Sequence, residues 1–178
     1  MECQQIKTEH QHPAGLLQPL PIPGWKWETI SLDFITGLPR NQNQNDSIMV
    51  VVDKVSKATH FIPVKTTYKA AKIADIFLKQ IFRLHGVPKV IISDRDPKFT
   101  GNFWKSLFKG LNTTLNFSTS FHPQTDGQTK MVNQVLEDLL RIHVKYQPGK
   151  WEDYLHLVEF AYNNNNYQAS ARFSSFEI

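Results

Sequence analysis

Two aspartates stand where a carboxylate is expensive. Asp33 lies inside Thr29-Ile30-Ser31-Leu32-Asp33-Phe34-Ile35, and Asp94 directly follows Val90-Ile91-Ile92-Ser93. Both runs have the character of core strands, and a charged oxygen pair there calls for neutralisation. A divalent cation, which takes oxygen ligands, supplies it well. Each residue also has an ordinary reading. Asp33 can be the solvent-facing acid of an alternating strand, and Asp94 or Asp96 can be turn residues in Asp94-Arg95-Asp96-Pro97. Asp94 is the stronger of those two candidates because it follows the strand directly.

The elements that must position these residues follow from periodicity. Residues 27–36 alternate, with Ile30, Leu32 and Phe34 on one face and Ser31, Asp33 and Ile35 on the other, the signature of a strand. After the polar loop 40–46, the apolar run Ile48–Val52 predicts a central strand. Ala58–Val64 predicts a third, so the chain opens as an antiparallel meander. The period then becomes helical through Ala70, Ile73, Ala74, Phe77, Ile81 and Leu84, with a stop at His85-Gly86-Val87-Pro88. A short buried strand, Lys89–Ser93, leads to Asp94. Phe103, Trp104, Leu107, Phe108 and Leu111 predict a helix, and Thr114–Ser118 a fifth strand. Val132, Val135, Leu136, Leu139 and Leu140 line a long helix, and Trp151, Tyr154, Leu155, Val158 and Tyr162 a final one. The order βββαβαβαα predicts a mixed α/β sheet covered by helices.

Bulk properties narrow the class. The chain has 178 residues, 40% of them hydrophobic and 20% charged, with a net charge of +4. That is enough for one domain with a proper core. Mild basicity suits a polyanionic partner without establishing one. The single cysteine, Cys3, excludes an internal disulfide framework and fits a reducing compartment. No apolar run is long enough for a membrane span, and the polar, proline-dotted first twenty residues do not form a secretory signal. The expectation is a soluble intracellular domain, with residues 1–24 as an extended linker and residues 25–178 as the globular part.

Several ordered motifs then match a family. Leu32-Asp33-Phe34-Ile35-Thr36-Gly37-Leu38-Pro39, Ser93-Asp94-Arg95-Asp96-Pro97-Lys98-Phe99-Thr100 and Phe121-His122-Pro123-Gln124-Thr125-Asp126-Gly127-Gln128 resemble the integrase core of gypsy-type LTR retrotransposons. Leu17–Pro23 and Ala161-Tyr162-Asn163-Asn164 extend the resemblance over essentially the whole chain. It implies a ribonuclease H-like α/β fold, five strands in a mixed sheet flanked by helices. It also implies DNA 3′-end processing and strand transfer by two-metal phosphodiester chemistry, with Mg²⁺ or Mn²⁺ held by two aspartates and a glutamate. Cys3-Gln4 is similar to the end of the family's zinc-binding segment, here without partner ligands. The resemblance further implies a homo-oligomer, DNA as partner, no membrane association, and the nucleus as place of action, otherwise the cytoplasm.

Carried over, Asp33 and Asp94 are the two aspartates, and the glutamate position falls on Lys130 in Gly127-Gln128-Thr129-Lys130-Met131-Val132-Asn133. An ammonium offers no lone pair to a cation, and two unit positive charges 4 Å apart repel by about 4 kcal/mol at an effective dielectric near 20. One cation site is therefore expected to persist while the second lacks its ligand. Glu137 lies about 10 Å farther along the helix axis, too far to substitute, and Asp126 could reach only if its loop folded inward. The expectation is an integrase core inactivated or severely impaired at Lys130. The alternative is a non-catalytic nucleic-acid-binding or assembly module retaining the fold. The candidate nucleic-acid contacts are Arg95, Lys98, Gln128, Lys130, Asn133, Gln134 and Arg141, residue types that commonly meet phosphates. The histidines, His60 and His122 among them, lack ligand spacing and are read as structural or solvent-facing.

Overall fold

The computed structural model describes residues 23–94, 96–117, 131–138, 140 and 147–174, and the side chains of these except Lys98 and residues 165–174. Strands β1 (Thr29–Ile35), β2 (Ser47–Asp53) and β3 (Thr59–Val64) form the antiparallel meander. Strands β4 (Val90–Ser93) and β5 (Thr114–Phe117) add to it in parallel, giving one five-stranded sheet in the order β3-β2-β1-β4-β5. The apolar run predicted to be a central strand is β2, and it is buried along its whole length. The middle of the sheet, however, is β1, the strand that carries Asp33.

Helix α1 (Ala70–Phe77) continues through a π-helical turn, Leu78–Phe82, into α2 (Arg83–His85). Gly86 ends it at φ +80°, ψ −167°, backbone that is nearly glycine-only. Between β4 and β5 lie α3 (Pro97–Thr100) and α4 (Asn102–Gly110); beyond β5 come α5 (131–138) and α6 (Trp151–Ser174). The short α3 was absent from the sequence reading.

The sheet packs against helices on both faces. One face packs Ile30, Leu32, Met49, Val51 and Ile91 against Phe77, Phe99, Trp104 and Phe108. The other packs Ile35, Ile48, Val50 and Phe61 against Val132, Leu136 and Leu140 and against Trp151, Leu155 and Val158 of α6. The period-2 pattern of β1 decides the assignment. Ile30 and Leu32 belong to the first layer and Ile35 to the second, so Asp33 faces α5 and α6.

Polar groups tie the layers together. The Trp151 indole N–H donates to the Pro39 carbonyl at 2.7 Å. The Glu152 carboxylate accepts from the side-chain amides of Asn41, Asn43 and Asn45, pinning loop 40–46 to the start of α6. Buried Asp53 closes the β2–β3 turn, accepting the Trp27 and Ser56 N–H groups at 2.9 and 2.8 Å. No helix among the described residues is long and apolar enough to cross a membrane.

Candidate metal centre

Strand register brings the two aspartates together. β1 and β4 run parallel, with Leu32 opposite Ser93. The next residue on each chain is Asp33 and Asp94, on strands about 4.8 Å apart. Both side chains are partly exposed, so the pair sits where the buried sheet opens toward solvent. Two like charges about 5 Å apart repel by roughly 3 kcal/mol at an effective dielectric of 20, and a divalent cation between them reverses that sign.

The surrounding donors orient both carboxylates. Asp33 Oδ1 accepts the Phe34 N–H at 2.8 Å, and Oδ2 accepts the Asn133 side-chain amide at 2.6 Å. Asp94 Oδ1 accepts the Asp96 N–H at 3.1 Å, the turn interaction that its Asp-x-Asp context suggests. Each aspartate carries further interactions as well. A carboxylate has about four lone-pair directions, so one that accepts hydrogen bonds can also ligate a cation. The Asn133 carboxamide oxygen is buried and lacks a hydrogen-bond partner among the described residues. Among the described residues no group of three or more His, Cys, Asp or Glu side chains is placed to hold a metal ion. Two carboxylates and a buried amide oxygen are nonetheless the hard oxygen donors that Mg²⁺ and Mn²⁺ take, so these residues fit one such ion.

Of the remaining site candidates, Gln134 is exposed and donates to Asp138 Oδ1 at 3.0 Å, one turn along α5. Arg95, Gln128, Lys130 and Arg141 lie outside the described residues, as does the side chain of Lys98 in α3. Asn133, a candidate nucleic-acid contact by sequence, turns its side-chain amide to Asp33. The signal was present: at about 100° per residue, Asn133 points within about 20° of Leu140 on the apolar stripe, whereas Gln134 points a further 100° or so away.

A second polar cluster was missed. His60 Nδ1 meets Glu159 Oε1 at 2.9 Å, and its Nε2 meets His85 Nε2 at 2.8 Å. With the carboxylate accepting at Nδ1, His60 accepts at Nε2 and His85 donates. Trp27 stacks on His85 at 3.7 Å between ring centroids. Burial, and next the neighbouring His60, push the His85 pKa below its ordinary value. The Phe61 N–H also donates to Glu159, at 2.9 Å. This chain joins β3, α2 and α6 and gives His60 a structural role.

The sheet order and flanking helices define the integrase core fold of the ribonuclease H-like class. The HTLV-2 integrase catalytic core domain in complex with magnesium matches with a TM-score of 0.56 over 75% of this chain and 82% of that one, at 16% identity. A chain of the simian T-cell lymphotropic virus intasome in complex with PP2A regulatory subunit B56 gamma matches with a TM-score of 0.64 over 86% of this chain and 53% of that one, at 18% identity. No protein-family model matches the chain. By sequence it is 39% identical over 176 residues to the Transposon Tf2-3 polyprotein of Schizosaccharomyces pombe, and equally to the Tf2-4 polyprotein. The alignment takes in 99% of this chain and 13% of the polyprotein's length. The chain belongs to the integrase catalytic cores of Tf2-like (Ty3/gypsy) LTR retrotransposon polyproteins.

Proposed function

We propose that this chain is a DNA-binding integrase core that holds one Mg²⁺ or Mn²⁺ ion between Asp33 and Asp94, and whose DNA cutting and joining is lost or severely impaired at Lys130. The observation that carries the reading is the register of β1 and β4, which sets the two carboxylates side by side. A bound divalent ion supplies charge neutralisation at a phosphodiester in reactions of this class. The protein's part is positional. Phe34 and Asn133 fix the two Asp33 oxygens, and the Asp96 N–H fixes Asp94. The aspartates supply carboxylates for one ion. A second ion needs a further acid, and the sequence provides lysine at the family's glutamate position.

The relatives support the remaining parts. The HTLV-2 integrase core is described with magnesium in both a trimeric and a dimeric form, and a third structure is an intasome. We extend self-association to this chain on that basis, and propose DNA binding and a nuclear site of action from its membership of the integrase family. The apolar side chains of Leu157 and Phe160 on α6, 56% and 72% exposed, suit a self-association face.

The test is a strand-transfer assay with Mg²⁺ or Mn²⁺ on the wild type, Lys130→Glu and Asp94→Asn. Activity in Lys130→Glu alone is the expected result. Wild-type turnover well above Asp94→Asn refutes the impairment. Inactivity of all three favours a non-catalytic nucleic-acid-binding or assembly module.

A further inference from the structure

Asn133 has one amide atom engaged and one stranded. Its Nδ2 donates to Asp33 Oδ2 at 2.6 Å, while Oδ1 is buried without a partner among the described residues. A buried acceptor left in this way is uncommon and calls for an explanation in the chemistry of its surroundings. Here those surroundings are one carboxylate in contact and a second on the adjoining strand. A cation held at those carboxylates would also give the amide oxygen a partner.

We propose that Asn133 contributes Oδ1 as a third protein oxygen to the cation held by Asp33 and Asp94. It thereby offsets the loss of a carboxylate at position 130. The inference rests on the reading of Asp33 and Asp94 as a cation site. The distances allow it: amide oxygen and nitrogen lie roughly 2.2 Å apart by standard bond lengths, so Oδ1 is within about 5 Å of Asp33 Oδ2. Two ligands of one ion at about 2.1 Å each span up to about 4 Å, so a modest rotation about χ2 suffices. The amide also suits the electrostatics. It adds a hard oxygen without a third negative charge beside the carboxylates. Asn133 follows Lys130 by three residues in the sequence.

The experiment is Mn²⁺ titration followed by electron paramagnetic resonance, on full-length chain labelled with ¹³C at the asparagine carboxamides. The wild type is expected to show a ¹³C coupling to bound Mn²⁺ that Asn133→Ala abolishes. Affinity is expected to fall about tenfold or more in Asn133→Ala and to return, or exceed wild type, in Asn133→Asp. That variant can ligate but cannot donate. Circular dichroism without metal checks that each variant is folded. Bound Mn²⁺ without the coupling, or Asn133→Asp as weak as Asn133→Ala, overturns the proposal and leaves Asn133 as a donor that positions Asp33. If Asn133→Ala binds like wild type while Asp33→Asn does not, only this inference falls. If Asp33→Asn binds like wild type, the cation site itself is wrong and the inference falls with it.

Discussion

Glu159 holds α6 against β3, and its removal is a quantitative test of how that layer is fixed. Its carboxylate accepts from His60 and from the Phe61 backbone N–H, both at 2.9 Å. Hydrogen bonds to a charged group contribute about 1.5–3 kcal/mol each. The His60 and Glu159 side chains are 22% and 27% exposed, so water partly replaces what is lost. Taking about 1 kcal/mol for each bond after that discount gives about 2 kcal/mol for Glu159→Ala. For a chain of this size the fall in Tm is then roughly 4–8 °C. Glu159→Gln keeps an acceptor for Phe61 but cannot also match His60 without opposing the His85 N–H, so about half of the loss is expected. Differential scanning calorimetry of the three proteins near neutral pH measures this. A Tm for Glu159→Ala within about 1 °C of wild type would refute the reasoning, because the α6–β3 contact would then rest on apolar packing alone.

Further expectations concern stability and loop order. His85 has a folded-state pKa below its ordinary value of 6.5, through burial first and His60 next, with Asp53 opposing. The unfolded chain therefore takes up a proton the folded one resists. The contribution is fully present above about pH 6.5 and declines as pH falls toward the folded value. Urea melts across that window should show the decline, with a shallower slope in His85→Gln; a rise on acidification would contradict it. Glu152→Ala removes the acceptor shared by Asn41, Asn43 and Asn45. Faster amide exchange is expected in loop 40–46, with about 1–2 kcal/mol lost overall, and unchanged exchange there would exclude the carboxylate as the clamp. Gly86→Ala meets nothing within 4 Å of the added carbon, so its expected loss of about 1–3 kcal/mol is backbone strain alone. Denaturant midpoints equal to wild type would show that the turn relaxes.

What the sequence disclosed follows from which forces are local. Strand alternation placed Ile30 and Leu32 opposite Ile35, and the structure divides them between two cores in that way. The glycine stop at Gly86 was legible because positive φ has so few alternatives. The stripe Trp151, Leu155 and Val158 was legible because burial repeats every three to four residues. The middle place of β1 was not legible, since order in a sheet depends on pairing between distant segments, here β1 with β4. The π-helical turn was hidden because Phe77 and Ile81 satisfy ordinary helical spacing as well. The short α3 has too few residues to show a period. The cluster of His60, His85, Glu159 and Trp27 draws on four separate segments, and no spacing along the chain announces it. The contact of Asn133 with Asp33 was not legible from residue type, because only its angular position beside Leu140 turns it inward.

The central claim is that Asp33 and Asp94 form one cation site and that Lys130 withholds the second. Calorimetric titration of the full chain with Mn²⁺ addresses it most directly, by counting ions. The expected result is one ion per wild-type chain, none in Asp94→Asn, and two in Lys130→Glu. Binding undiminished in Asp94→Asn, or two ions in the wild type, would contradict it.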